Sequence, residues 1–395
     1  LASPRNNLFI VGDDDQSIYR FRGAKPEILL NFHKDYPGAK RTVLDINYRS
    51  SVEVVHAAGR LIRNNTVRFN KQITTINPSH SKVKILKFKT VQEENQYVVD
   101  TIIKTMNENL VKPSEIAIIY RTNSQPRQLV EKLMEYNVSF TIRDKLPNIY
   151  EHWIARDLIA YLKLALGELK RSHFLRVMNK PTRYISRDDL TYDVINFDTL
   201  KSNYVRYSKQ WMIERMEQLE YDLKILAKLG PKAAIGYIRK AIGYESYLVS
   251  YAHERKIKFS ELQDILNEIQ ESTASFVTIS EWFAYIQDYG EKLEEKAVQA
   301  HHNKESLTLT TMHSAKGLEY DMVFIIDANE GIIPHEKSTL LEDLEEERRL
   351  FYVAMTRARK YLEIITSEER YNKKYKTSRF INEIISHSDP LRPEK

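Results

Sequence analysis

The chain has 395 residues, 42% hydrophobic and 29% charged, with 60 basic against 54 acidic side chains, a net charge of +6 and a pI near 9.0. That length exceeds the roughly 250–300 residues a single core reaches, so two or three domains are expected, and the basic balance permits a polyanionic partner without requiring one. The absence of cysteine excludes disulfides and thiolate metal sites and points to a reducing compartment, here read as the cytoplasm, and no run of about 18 apolar residues exists to cross a membrane.

Leu8-Phe9-Ile10-Val11 is a continuous apolar run closed by Gly12 and three aspartates, which reads as a buried strand opening into a loop. It is too short for the apolar core of a signal peptide, and a chain starting Leu-Ala-Ser-Pro is expected to be cut from something longer. Val83 to Phe88 alternates like a strand. Val98, Val99, Ile102, Ile103 and Met106 then recur at helical spacing. Ile116 to Tyr120 is a second buried strand, followed by an amphipathic helix through Leu129, Val130, Leu133 and Met134 and a short strand from Val138 to Ile142. Strand–helix alternation of this kind predicts a parallel sheet covered by helices. From about Pro147 to about Asn303 the helical period dominates. Ile154, Leu158, Ile159, Leu162 and Ala165 form one apolar face, and Met212–Leu229 and Leu262–Tyr289 supply others. Strand patterns return at Leu307–Thr311, Met322–Ile326 and Leu362–Thr366, with a helix from about Leu344 to Ala358 between the last two. The pattern describes one α/β domain interrupted by an all-helical insertion.

Five segments carry specific chemistry. They are Gly12-Asp13-Asp14-Asp15-Gln16-Ser17-Ile18-Tyr19-Arg20-Phe21-Arg22-Gly23-Ala24, Asn47-Tyr48-Arg49-Ser50-Ser51, Tyr120-Arg121-Thr122-Asn123, Thr311-Met312-His313-Ser314-Ala315-Lys316-Gly317-Leu318-Glu319-Tyr320, and Glu347-Arg348-Arg349-Leu350-Phe351-Tyr352-Val353-Ala354-Met355-Thr356-Arg357-Ala358. In this order they resemble motif III, motif IV, a smaller family motif, motif V and motif VI of superfamily 1A DNA helicases of the UvrD, Rep and PcrA type. The resemblance spans nearly the whole chain. It implies a remnant of a first RecA-like domain at 1–44. It also implies a second RecA-like (P-loop NTPase type) parallel-sheet domain at 45–147 and 304–395, and a helical insertion, called 2B in the family, at 148–303.

The resemblance also implies roles. Phosphoryl transfer needs positive charge around the γ-phosphate, and arginine supplies planar, permanently charged donors. Arg49 and Arg357 match the family's arginine fingers, and Gln16 its γ-phosphate sensor. Tyr48 would stack on adenine and Glu319 would accept from the ribose hydroxyl. Single strands are held by stacking bases on aromatic rings. Tyr19 and Phe21 match the stacking aromatics of motif III, with Phe21 standing where many relatives have tryptophan. Arg22, His313, Arg121 and Asn123 match polar DNA contacts, and Tyr371 an aromatic near the 3′ end. The partners implied are single-stranded DNA and duplex junctions, together with repair or replication proteins.

No Gly-x-x-x-x-Gly-Lys-Ser/Thr loop and no acidic motif II occur in the sequence. In the family both precede motif III, so ATP and magnesium are expected to serve only the full-length protein. The chain alone is expected to show negligible ATPase activity, with its Leu8 strand disordered, swapped or abnormally packed. Two other readings stay open: the helicase subunit of a RecB- or AddA-like helicase–nuclease, although no nuclease domain follows motif VI before Lys395, and a non-enzymatic DNA-binding or partner-binding protein.

Weaker signals read blandly. An isolated arginine is ordinarily a solvated surface residue, and Arg348 and Arg359 suggest no more. Glu345-Glu346-Glu347 reads as the solvated, dipole-favoured start of the motif VI helix. Lys180-Pro181-Thr182-Arg183-Tyr184-Ile185-Ser186 resembles a duplex-contacting segment of relatives, but Tyr184 and Ser186 replace the family's two glycines, so a structural turn is an equal reading. His301-His302 lacks the partners that would complete a metal site.

Overall fold

The computed structural model describes residues 8–144, 148–206, 209–299, 305–371 and 373–385, with only the backbone of residues 21 and 294–299. The histidine pair at 301–302 lies outside the described residues. The chain divides into two compact units, Leu1–Leu146 with Lys296–Lys395, and Pro147–Glu295.

The first unit is built on a seven-stranded sheet. Its strands are β3 (Lys84–Thr90), β4 (Ile116–Tyr120), β5 (Phe140–Ile142), β6 (Leu307–Thr311), β7 (Tyr320–Ile325), β8 (Ala358–Arg370) and β9 (Lys373–Lys374). A separate short parallel pair joins β1 (Ile46–Asn47) to β2 (Thr74–Thr75). The order in the main sheet is β3-β8-β7-β4-β6-β5. All these pairs are parallel, and β9 adds antiparallel to β8. Central β4 is solid Ile-Ala-Ile-Ile-Tyr because a parallel strand covered on both faces has no polar side to offer, and all five residues are 0% exposed. β5 and β6 pair in register, Phe140 opposite Leu307, although the whole helical stretch lies between them in sequence.

Helices Val52–Ile62, Val91–Asn107, Arg127–Glu135, Leu341–Met355 and Arg379–Ile385 belong to the same unit. Val54, Ala57, Ala58 and Leu61 recur at helical spacing and are buried against Phe351, Val353 and Phe380. Each fully buried aliphatic side chain of this kind contributes about 1.5–3 kcal/mol. Helix Val91–Asn107 starts where Thr90 caps it: its hydroxyl accepts from the Glu93 N–H at 3.3 Å, and Glu93 reaches back to the Lys89 N–H at 3.0 Å.

The structure corrects four sequence expectations in this unit. Leu8–Val11 is not a strand. Phe9 is 90% and Val11 77% exposed, and no described strand runs beside the segment to complete a ladder. The motif VI helix begins at Leu341 rather than near Leu344, so Glu342 and Asp343 take the first turn. Glu345 and Glu347 then fall in the second turn and are buried, not solvated: Glu345 accepts from the N–H and hydroxyl of Thr66 at 2.6 and 2.7 Å, and Glu347 pairs with Arg121. Nor are Arg348 and Arg359 free surface cations. Arg348 is buried on Glu383 at 2.7 Å, and Arg359 reaches Asp321 at 2.7 Å.

The second unit consists of helices, from Trp153–Ala165 through Gln210–Leu226 and Tyr244–Arg255 to Ile279–Gln299. Ile154, Leu158, Leu162 and Trp282 are fully buried in its core, with Ile159 and Ala165 packed at the margin. Lys180 and Arg183 are structural here. Lys180 meets Asp157 at 2.6 Å, and the buried Arg183 guanidinium donates to the Val177 and Met178 carbonyls at 3.0 and 3.2 Å. Among the described residues no helix is long and apolar enough to cross a membrane.

Candidate functional site

Every main-sheet strand except β9 runs the same way, so the sheet has one amino-terminal and one carboxy-terminal edge. The motif residues divide between them.

The amino-terminal edge gathers Arg49, Glu319 and Arg357. Glu319 immediately precedes β7, and Thr356-Arg357 links helix Leu341–Met355 to β8. Motif IV is stitched to the same edge: the Ser50 hydroxyl donates to the Ala358 carbonyl at 2.7 Å and the Ser51 N–H to the Arg359 carbonyl at 2.8 Å. Asn47 shapes the turn by accepting from the Arg49 and Ser50 N–H groups at 2.9 and 2.8 Å. Arg49 is thereby aimed at Glu319, with Nε 2.7 Å from Oε2, and its hydrogen bond holds the Glu319 carboxyl below its usual range. Both side chains are part-exposed, at 31% and 46%, so the pair is worth at most about 1 kcal/mol and opens readily for a ligand. Arg357 is different. Its guanidinium is 1% exposed and donates to the Val353 and Leu318 carbonyls at 2.9 and 3.0 Å and to the Thr356 hydroxyl at 3.1 Å. Burial, reinforced by the Arg49 charge, lowers it to about 10. Tyr48 stands out from this edge, 69% exposed.

The carboxy-terminal edge gathers Tyr19, Arg22, His313 and Arg121. Arg121 follows β4 and Met312-His313 follows β6. The Tyr19 hydroxyl donates to the His313 carbonyl at 3.3 Å, and the two rings lie 6.1 Å apart. The Arg22 guanidinium sits 5.5 Å from the Tyr19 centroid. Burial, then the Arg121 charge, pushes His313 down to about 4, so its imidazole is neutral at physiological pH. Arg121 is committed to Glu347 through a forked contact, at 2.7 Å from NH2 and 3.1 Å from Nε. Asn123 is half-buried nearby in sequence, and Tyr371 is half-buried in a left-handed conformation (φ 50°) with the Arg370 guanidinium 5.1 Å from its ring. The Phe21 side chain lies outside the described residues.

Motif V joins the edges. It leaves β6 at the carboxy-terminal edge and enters β7 at the amino-terminal edge, turning at Gly317, whose φ of +89° a residue with a Cβ adopts only under strain. Along this crossing Lys316 donates to the Gln16 carbonyl at 2.8 Å and lies 5.3 Å from the Tyr19 centroid. Partial desolvation lowers its pKa, and among nearby charges Asp13 opposes that shift while Arg357 adds to it. The Gln16 amide donates to Asp13 at 2.5 Å. Asp144 anchors the other end, accepting from the Thr311 N–H at 2.8 Å and the Ser314 hydroxyl at 2.5 Å. Lys316 and Asp144 were not singled out from sequence, and Glu347 was read only as part of a solvated helix start. Lys316 was inside a quoted motif, and a lysine beside the turn glycine was the available signal.

The aspartates of motif III bring carboxylate oxygens within 4.8 Å of one another. Lys71 sits 2.6 Å from both Asp13 and Asp14, and Arg68 makes a two-pronged contact with Asp15 at 2.9 and 2.8 Å. This set does not fit a magnesium ion, because side-chain cations already occupy its charge.

Comparison with known proteins decides the family. The model of the UvrD-like helicase C-terminal domain matches residues 42–369, and that of the UvrD/REP helicase N-terminal domain matches residues 1–37. The chain belongs to the UvrD-like helicase family. It is similar to the ATP-dependent DNA helicase PcrA of Staphylococcus epidermidis, 32% identical over 413 residues covering 97% of this chain and 55% of that protein. Rep of Buchnera aphidicola is 30% identical over 422 residues, 97% of this chain and 62% of its own length. PcrA of Bacillus subtilis is 31% identical over 389 residues, 94% and 52% respectively. This UvrD-like chain spans about half the length of the curated relatives it matches.

Proposed function

We propose that the chain is the portion of an ATP-dependent DNA helicase that senses the γ-phosphate on one edge of a RecA-like sheet and holds single-stranded DNA on the other. The supporting observation is the division of the motif residues between the two edges, with motif V as the crossing piece. Arg49 and Arg357 on the amino-terminal edge, with Lys316 on the crossing piece, would concentrate positive charge where a triphosphate would be met, which is the main demand of phosphoryl transfer. Glu319 would accept from the ribose hydroxyl once Arg49 turns to phosphate, and the exposed Tyr48 would stack on adenine. The Gln16 amide would exchange Asp13 for the γ-phosphate. On the carboxy-terminal edge Tyr19 would stack on a base, and Phe21 is given the same task from its place in motif III alone. Arg22, neutral His313, Arg121, Asn123 and Tyr371 would line the strand's path.

Loss of the γ-phosphate would be felt by Gln16 and Lys316 together, and Lys316 also touches the Tyr19 ring. A shift of motif V then moves the DNA contacts, and the direction of travel is 3′ to 5′ as the family resemblance implies. Because the sequence contains no Gly-x-x-x-x-Gly-Lys-Ser/Thr motif, these residues alone would hydrolyse ATP negligibly. The test is displacement of a strand from a duplex with a 3′ tail, by the protein that joins these residues to such a loop. Displacement from the 3′-tailed duplex and not from a 5′-tailed one is expected. Arg357→Ala with normal ATP turnover would contradict the assignment of that arginine.

A further inference from the structure

The carboxy-terminal ends of β4, β7 and β8 are tied by a buried polar knot that none of these roles uses. Glu94, in the first turn of helix Val91–Asn107, is 0% exposed, and its Oε1 accepts from the Asp327 N–H at 2.8 Å. Asp327 lies just past β7, 1% exposed and left-handed with φ 54°. Its Oδ2 accepts from Gln125 Nε2 at 3.0 Å and from Arg370. The second Arg370 nitrogen donates to the Gln125 carbonyl at 3.1 Å. Gln125 in turn accepts from the Thr122 N–H at 2.6 Å. One carboxylate therefore holds two loops, the Thr122-Asn123 turn after β4 and the Arg370-Tyr371 end of β8.

We propose that Asp327 and Glu94 are positioning residues that fix the geometry of the loops presenting Asn123 and Tyr371 to DNA. The proposal rests on the DNA reading of those loops. Charge balance gives the two residues different tasks. The charged groups facing Glu94 are Asp327 and Arg370, with the Ser367 hydroxyl beside it. Two carboxylates against one guanidinium leave a buried negative charge uncompensated, which is costly. Asp327 receives the guanidinium and the Gln125 amide directly. Glu94 is left with the Asp327 N–H and the Ser367 hydroxyl, and burial together with the Asp327 charge raises its pKa far above the usual carboxylate range. Glu94 therefore keeps its proton well above the ordinary carboxylate range, and raising the pH ionises it. Ionisation places a second negative charge against Asp327, divides Arg370 between two carboxylates and loosens both loops.

The test measures binding of a labelled oligo-thymidine by fluorescence anisotropy at low salt, alongside amide hydrogen exchange, for the chain and for Glu94→Gln and Asp327→Asn. Glutamine keeps the acceptor oxygen without the charge. The unaltered chain should lose affinity about fivefold, the lower end of ordinary coupling, between about pH 7 and about pH 9. Glu94→Gln should match it near pH 7 and lose that dependence. Asp327→Asn should bind more weakly throughout and exchange faster at Arg121–Gln125 and at Arg370-Tyr371 than the unaltered chain at equal pH. An unchanged pH profile in Glu94→Gln, or unaltered exchange of both loops in Asp327→Asn, overturns the positioning claim. Failure of the unaltered chain to bind the oligonucleotide overturns the DNA reading instead, and the exchange comparison still decides the positioning. If Asp327→Asn does not fold, the Glu94→Gln profile and exchange carry the decision.

Discussion

The two edges of the parallel sheet hold their charges in opposite ways. On the amino-terminal edge Arg49 faces Glu319 in a part-exposed pair, while the Arg357 guanidinium is held by uncharged oxygens. Beside them Arg359 is spent on Glu115 and Asp321, so the charge left for the proposed phosphate is that of Arg49 and Arg357. On the carboxy-terminal edge Arg121 is matched by buried Glu347, Arg370 by buried Asp327, and His313 is neutral. Cations there are largely spent on structure, and an aromatic ring is left at the surface of contact. A site for a compact, highly charged ligand keeps its charge available. A site for successive bases relies on stacking, which tolerates any sequence. Under the proposed reading one sheet would serve both, because its parallel strands give it two chemically different rims that motif V links through Lys316.

The largest expected separation of the edges comes from Arg357→Ala. In the protein that hydrolyses ATP, turnover should fall about a thousandfold, as for other arginines that stabilise transferring phosphate, with single-strand affinity changed less than about twofold. Arg357→Lys, which keeps the charge but not the three-way grip on Val353, Leu318 and Thr356, should recover little. Tyr19→Ala should do the reverse: about 1–3 kcal/mol of single-strand affinity lost, roughly 5–150-fold, with nucleotide affinity unmoved. Glu347→Ala tests whether the second edge is built as described. Leaving Arg121 half-buried without its carboxylate should cost about 1–3 kcal/mol of stability in denaturant unfolding. The smallest effect is acid sensitivity. His313 stays neutral in the folded chain down to about pH 4, whereas an unfolded histidine takes up a proton near about pH 6.5. The unfolded state binds more protons in that window, so stability should fall as pH drops through it, and His313→Gln should flatten the fall.

Much of this was legible in the sequence because it is written in apolar runs and motifs. Ile116–Tyr120 and Leu307–Thr311 are strands at the expected bounds, since a buried parallel strand must be apolar almost throughout. β8 was read as Leu362–Thr366 but runs Ala358–Arg370. Its hidden length is polar. Arg370 is buried there because Asp327 reaches it, just as Glu363, inside the expected bounds, is buried because Lys84 and the Tyr97 hydroxyl reach it, at 2.6 and 3.0 Å. Such partners lie far away in sequence, and no local pattern announces them. Glu345 and Glu347 were misread for the same reason. Leu8–Val11 failed in the opposite sense: apolar composition proposes a strand, but only a neighbouring strand makes one. In the candidate site, the motifs named the residues to look at but not the partners those residues hold. Arg49 was visible as a cation, but not that it already holds Glu319. Lys316 gained its importance only when the structure placed it against both Gln16 and Tyr19.

The most direct test of two rims with separate tasks is to compare Tyr19→Ala and Arg49→Ala in the same single-strand binding titration, with the folded state of each checked by circular dichroism. Tyr19→Ala should weaken binding about tenfold or more, and Arg49→Ala should leave it within about twofold of the unaltered chain. Equal weakening by the two substitutions would contradict the division of the sheet into a nucleotide edge and a DNA edge.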